Sequence, residues 1–284
     1  DIENLSSSDL SSQDIQENKN LSQKLQALNS NKQVIVDIEN YLQLNNFTLI
    51  INLFKGKKNF LYRTAASFIK AISNVESNTK SHEYYAQLRR KGVSNKSLPG
   101  LIIVGSYVDL TTKQLQTISN HKSIVPIEIC VSKIYQLLRE ENSSELSNYR
   151  IDLIDQLRIN FSKNKTPVLF SSREFFDLQD SDKQFDFYNF ISFFIAELVS
   201  EIKNEIGYLI SKGGITSHYI LEKGFSADYV YLEGQIFTGI SLVNVKLDAL
   251  KEYIPVVTFP GNFGDENSLL DVWKVMENIK IIKN

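Results

Sequence analysis

Three short runs of small and hydroxyl residues in this chain could do chemistry. The first is Gly105-Ser106-Tyr107-Val108-Asp109-Leu110-Thr111-Thr112-Lys113-Gln114, which leaves the apolar run Leu101–Val104 and enters a helical pattern. Gly105 lets another group approach the backbone closely. Ser106 and Thr112 supply hydroxyls, and free N–H groups at a helix start can hold an anion. The same residues also fit a tight turn followed by an N-cap at Thr111. The second run is Lys212-Gly213-Gly214-Ile215-Thr216-Ser217. It reads either as a glycine C-cap followed by a Thr216 N-cap, or as a cradle of glycine N–H groups to which Thr216 or Lys212 adds a contact. The third, Phe259-Pro260-Gly261-Asn262-Phe263-Gly264-Asp265-Glu266-Asn267-Ser268, follows a strand pattern and precedes a helix with Ser268 as cap and Asp271 three residues on. Its glycines make either a loop that can wrap a ligand or a plain surface turn.

Other candidates are weaker by themselves. Asp37 ends the strand-like run QVIVD, where it can face a substrate or cap the next helix. Arg63 falls within a helical pattern of small and apolar residues and could grip a carboxylate or phosphate. Ser171-Ser172-Arg173-Glu174 follows a strand pattern, and Cys130 reads as a small buried apolar residue. A single cysteine excludes an internal disulfide and Cys-rich zinc or iron–sulfur sites. The histidines His82, His121 and His218 lack metal-ligand spacing, so no metal site is expected. G-x-x-x-x-G-K-[ST], G-x-G-x-x-G, G-x-S-x-G and H-E-x-x-H are all missing. With 31 Lys+Arg against 33 Asp+Glu the net charge is -2, which leaves no basic field for bulk nucleic-acid binding. No run approaches the ~20 apolar residues of a membrane span. The richest stretch, 185–202, is broken by Asp186, Asn189, Glu197 and Glu201.

The elements that must position these residues alternate in type. At ~150 residues per domain, 284 residues give one large domain or two small ones. Residues 1–19 are polar and read as a tail or linker. Residues 20–98 read as the end of one domain plus a polar connector over 79–99, with a domain boundary near residues 75–98. Within them the patterns predict a strand over 33–38, a helix over 38–47 and a helix over 60–72. From residue 99 onward the patterns predict strands at 101–104, 123–129, 167–170, 229–232, 235–240 and 256–259. Helices are predicted at 111–120, 131–140, 146–161, 185–212, 216–223 and 268–276. Short apolar strands between helices predict an α/β fold, with a mainly parallel sheet flanked by helices and part of a second α/β domain at the N-terminus. The only methionine is Met276 and the chain opens on Asp1, which reads as the second part of a longer protein. No signal-peptide pattern opens it, and the cytoplasm is the expected compartment.

The order of these runs resembles the four-carbon acid sugar kinase family. The resemblance rests on Arg63-Thr64-Ala65-Ala66-Ser67-Phe68, Gly105-Ser106 with Thr112-Lys113-Gln114, Ser171 to Glu174, Gly213 to Thr216, Thr238-Gly239-Ile240, and Phe259 to Gly264. It runs from about Val34 to the C-terminus. It implies the C-terminal nucleotide-binding domain of a two-domain kinase that uses ATP, with Mg²⁺, to phosphorylate a four-carbon sugar acid such as threonate or erythronate. It also implies that Gly105, Ser106, Thr112, Gln114, Gly213, Gly214, Thr216, Gly239, Gly261, Asn262 and Gly264 surround ATP. Arg63 and Ser67 would lie toward the substrate, and the catalytic base would come from a preceding part. The family's opening Asp-Asp-x-Thr-Gly is not in this chain. Ile215 stands where the resemblance expects an acid, and Phe259 where it expects a lysine.

Those two departures keep a second reading open: a non-catalytic nucleotide- or metabolite-binding protein that kept the kinase fold. A nicotinamide-dependent enzyme on a doubly wound sheet is a third, against which the missing G-x-G-x-x-G counts. The expected partners are a small sugar acid and ATP, with no nucleic acid and no membrane; a homodimer is left open.

Overall fold

A computed structural model describes residues 2–5, 15–29, 32–76, 78, 80–173 and 178–281. The chain divides into two compact units, Asp1–Ser77 and Asn78–Asn284.

In the first unit, strands β1 (Ile2–Leu5) and β2 (Gln33–Val36) pair in parallel beside helices α1 (Ile15–Ala27), α2 (Tyr41–Asn52) and α3 (Ala66–Ser73). Leu21, Leu25, Leu44, Phe47, Ile50, Ile51, Phe54 and Phe68 form its core. The polar stretch 1–19 therefore contributes β1 and the start of α1, because a strand pairs through its backbone and needs no apolar side chains to do so. Asn40, rather than Asp37, caps α2: its Oδ1 accepts from Gln43 N at 3.0 Å, and Gln43 Oε1 accepts from Glu39 N at 2.8 Å. Lys58 Nζ donates to the carbonyls of Leu25 (3.0 Å), Leu28 (2.6 Å) and Gln26 at the end of α1.

The second unit holds strands β3 (Gly100–Val104), β4 (Ile124–Ile129), β5 (Thr166–Ser171), β6 (Tyr208–Lys212), β7 (Tyr231–Phe237), β8 (Ile240–Leu247) and β9 (Glu252–Phe259). They make one sheet in the order β4-β5-β3-β6-β9-β8-β7. The first five are parallel, and β8 and β7 run antiparallel at one edge. This is the α/β architecture that the alternating patterns predict.

Alternate residues serve opposite faces of the sheet. Leu101 and Ile103 pack with α6 (Val131–Arg139), α7 (Ser143–Ser162) and α8 (Ser181–Ile202). Ile102 and Val104 pack with α4 (His82–Gln87), α5 (Asp109–Ser119) and α10 (Ser268–Met276). Burial on both faces explains why the β3 sequence is a continuous apolar run.

Three expectations are corrected here. The helix expected over 185–212 ends at Ile202, and Tyr208–Lys212 is the central strand β6. A short apolar run buried on both faces carries no period that separates strand from helix. Gly207 makes the break: its N–H donates to Pro99 O at 2.7 Å, and a side chain there would strike the Leu98 carbonyl. The strands expected at 229–232 and 235–240 are instead parts of one strand, β7, which turns at Thr238-Gly239 into β8, a strand that the patterns do not predict. The connector expected over 79–99 falls inside the second unit, whose start at Asn78 lies within the stretch 75–98 where a boundary is expected. Tyr85 is wholly buried and donates to Gln235 O at 3.0 Å, while the Arg90 guanidinium reaches Ile206 O at 2.9 Å and Glu252 at 2.8 Å.

Candidate functional site

In an open parallel sheet, ligands bind beyond the carboxyl ends of the strands where the strand order reverses. Here the chain runs from β3 out to β4, returns through β5, and crosses to β6 on the other side of β3. The loops after β3, β5, β6 and β9 all leave this one edge, because Val104 is in register with both Phe170 and Lys212, and Lys212 with Phe259.

The loop after β3 enters α5 at Asp109, so Thr111 is inside the helix and is not its cap. Its side chain is wholly buried, with Oγ1 donating to Gly261 O at 2.8 Å and lying 3.1 Å from Ser106 Oγ. One turn on, the buried Gln114 donates Nε2 to Phe263 O (3.1 Å) and Asp265 O (2.7 Å). Thr111 and Gln114, three apart on one helix face, thus tie α5 to the loop after β9. Thr112 faces the other way and accepts from Arg173 Nε (3.2 Å) and Nη2 (2.9 Å). Arg173 also donates to Ser106 O at 2.5 Å and stacks on the Tyr107 ring at 5.4 Å. Glu174 lies outside the described residues.

The loop after β6 follows a strand rather than a helix, so Gly213 is no C-cap. It adopts φ 126, a conformation costly for other residues, and opens α9 (Gly214–Tyr219). Gly213 N donates to Phe259 O at 2.9 Å, and Gly105 N to Lys212 O at 3.0 Å. A side chain at Gly105 would collide with Thr216, so these two loops meet only because residue 105 is glycine.

Lys212 sits at the centre and is wholly buried. Its Nζ donates to Pro260 O (2.7 Å) and Gly261 O (3.1 Å) and lies 3.9 Å over the Phe259 ring. Burial pulls its pKa down to about 8. Burial also lowers the pKa of Arg173. Among the described residues no carboxylate pairs with either cation.

In the loop after β9, Ser268 Oγ accepts from Asp265 N at 2.8 Å and donates to Asp265 Oδ1 at 2.8 Å; the latter bond, with one from Asn267 N at 3.0 Å, holds the Asp265 carboxyl below its ordinary pKa. Ser268 is thus the first residue of α10 and shapes the loop; it does not cap with Asp271.

The structure brings Gly105, Ser106, Thr112, Gln114, Gly213, Gly214, Thr216, Gly261, Asn262 and Gly264 to this edge on the three segments that follow β3, β6 and β9. Gly239 is in the β7–β8 turn, where the absence of a side chain makes room for the Phe263 ring. Arg63 and Ser67 belong to the first unit; Arg63 is exposed ahead of α3 and not within a helix, and Ser67 is on α3. Thr111, read from the sequence as an N-cap, and Arg173, within the weaker candidate run Ser171–Glu174, complete the site. The dipeptide Thr111-Thr112 and the strand-end Ser171-Ser172-Arg173 were the available signals.

Glycine loops gathered at the switch point of an open, mainly parallel sheet define a nucleotide-binding type of α/β domain. Residues 101–269 match the family described as the nucleotide-binding C-terminal domain, and the chain belongs to that family, the C-terminal domain of the four-carbon acid sugar kinases. Three solved structures share the fold. A Salmonella typhimurium LT2 protein provisionally described as a tRNA synthase is 14% identical, with a TM-score of 0.62 over 95% of this chain and 58% of its own. A Haemophilus influenzae protein of the DUF1537 family is 18% identical, with a TM-score of 0.56 over 97% of this chain and 60% of its own. A Bordetella bronchiseptica DUF1537 domain, a domain-swapped dimer with bound citrate, is 12% identical, with a TM-score of 0.51 over 98% of this chain and 60% of its own. The chain thus spans about three fifths of the length of these proteins. No curated protein matches it significantly. Among the described residues no helix is long and apolar enough to cross a membrane.

Proposed function

We propose that this chain is the nucleotide half of an ATP-dependent kinase acting on a four-carbon sugar acid such as threonate or erythronate. One observation carries the reading: Lys212 and Arg173, one buried and one half-buried cation that pair with no carboxylate among the described residues, stand where four loops converge. Such an arrangement is suited to polyphosphate, because phosphoryl transfer depends on positioning and on neutralising charge. Gly105, Ser106, Gly213, Gly214, Thr216, Gly261, Asn262 and Gly264 offer the backbone and hydroxyl contacts, with Thr112 and Gln114 holding the loops in place. Among the described residues no three His, Cys, Asp or Glu gather as metal ligands. Mg²⁺ accompanying ATP would help neutralise the charge of the phosphates. Arg63 and Ser67 are the candidates on the acceptor side.

The lysine that the resemblance expects at 259 is missing, yet Lys212 is the register partner of Phe259 and supplies a cation at the head of the same loop. This supports a working site. Ile215, 58% exposed where an acid is expected, favours the second reading, a non-catalytic nucleotide- or metabolite-binding protein. Calorimetric titration of this chain with ATP–Mg²⁺, followed by an ADP-release assay with threonate and erythronate on the chain with and without the part expected to supply the catalytic base, separates the two. Saturable binding by the chain alone is expected, with acid-dependent ADP release only when that part is present. Binding without release in either form supports the non-catalytic protein, robust release by the chain alone overturns the two-part reading, and no binding overturns both.

A further inference from the structure

Helix α2 of the first unit has two apolar faces and uses one of them. Between Asn40 and Phe54 the sequence holds no charged residue. One face supplies Leu44, Phe47, Ile50 and Ile51 to the core of the unit. The other carries Leu42, Leu49 and the C-cap residue Leu53, which are 52%, 66% and 64% exposed. A helix at the surface of a globular protein normally turns charged and polar residues to water, and one that is apolar on all sides is normally covered.

The spacing of the second face identifies what covers it. Leu42, Asn46, Leu49 and Leu53 follow one another by four, three and four residues. That is the alternation of d and a positions in a two-stranded coiled coil, with leucine at both d positions and asparagine at one a position. Asn46 is half-buried, and its Nδ2 is shut from solvent with no hydrogen-bond partner among the described residues. Such a donor calls for an acceptor. An amide both donates and accepts, so it complements a second copy of itself. The terminal torsion of asparagine is soft, which lets the amide turn outward to meet that copy. Asn45 and Asn52 flank the stripe, exposed and neutral, so two identical faces meet without like charges.

We propose that α2 is a self-association helix: two copies of this chain pair through Leu42, Leu49 and Leu53 in a short parallel coiled coil, with Asn46 hydrogen-bonded to the same residue of the second copy. The helices run parallel because only then does a residue at an a position face itself. The seam spans about three helical turns, so association is weak and depends on concentration. It involves the first unit alone and is independent of the nucleotide reading.

The test is sedimentation velocity on the 284-residue chain and on its Leu49→Glu and Asn46→Leu variants, from about 1 to about 200 µM. The parent is expected to pass from monomer to dimer across that range. Leu49→Glu should stay monomeric throughout, because it sets two like charges across the seam. Its circular dichroism and melting temperature at the lowest concentration should match the parent, because Leu49 is mostly exposed within its own chain. Asn46→Leu should associate at least about tenfold more tightly and form species beyond the dimer, because a polar a position limits the strand number at a cost in stability. A parent that is monomeric at the highest concentration overturns the proposal and leaves the face to another occupant. A dimer that survives Leu49→Glu also overturns it, by placing the interface elsewhere. Association of Asn46→Leu no tighter than that of the parent overturns the assignment of Asn46 to the seam.

Discussion

Replacing Lys212 with methionine should stabilise the free protein at neutral pH while weakening its hold on nucleotide. Burial brings the ammonium from an ordinary 10.5 to about 8. At about 1.4 kcal/mol per pH unit, keeping it charged in the folded state costs about 3 kcal/mol. Its hydrogen bonds to Pro260 O and Gly261 O return about 1 kcal/mol each. Methionine fills similar space without charge, and Gly261 O keeps its bond from Thr111. The net gain is about 1 kcal/mol, or roughly 2–4 °C in melting temperature for a unit of this size. The pH dependence is more diagnostic. Between about 8 and 10.5 the unfolded lysine keeps a proton that the folded one has released, so the stability of the parent should rise through that window. In Lys212→Met that component is gone, so the order of stability should reverse: the variant is the more stable at pH 7 and the parent, by about 1–2 kcal/mol, at pH 10. ATP–Mg²⁺ affinity at pH 7 should fall at least about tenfold, a typical consequence of removing one charged contact. A variant that melts lower at pH 7, with the same pH slope as the parent, would refute the assignment of Lys212 as a buried cation held for a ligand.

Thr111→Val removes the bond that ties α5 to Gly261 O and should cost about 1–2 kcal/mol in urea unfolding, with weaker ATP binding; unchanged binding would mean that this link does not shape the site. Gly105→Ala forces a methyl into Thr216 and should abolish nucleotide binding while the far-UV circular dichroism stays α/β. Tyr208→Phe loses the bond from the Tyr208 hydroxyl to Glu277 Oε1 at 2.7 Å and should cost about 1–2 kcal/mol without altering ATP affinity, since it lies at the opposite end of β6 from Lys212. Deleting residues 1–14 removes β1 from its pairing with β2 and should speed hydrogen exchange of the β2 amides, which a purely pendant tail would not do.

Much of the fold was legible because its signals are local. The run Leu101–Val104 between polar flanks could only be buried, and α10 matches its predicted span because Ser268–Met276 has clear amphipathic spacing. The glycine-and-hydroxyl runs were visible as motifs, because only glycine permits the close approach at Gly105 and the φ of Gly213. Tertiary structure decided the rest. Tyr208–Lys212 reads equally as the end of a helix; it is a strand because β3 and β9 offer it hydrogen-bond partners on both sides, and only the assembled sheet supplies those. That one reassignment turns Lys212 from a residue near a helix end into a buried cation at a sheet edge, and turns Gly213-Gly214 from a cap into part of the site. Thr111, Gln114 and Arg173 owe their roles to partners 61 to 151 residues away in the chain. Sequence carried the chemistry each residue can do, and the order of the strands chose which residues do it together, because hydrogen bonding and charge act over a few ångströms that chain position does not encode.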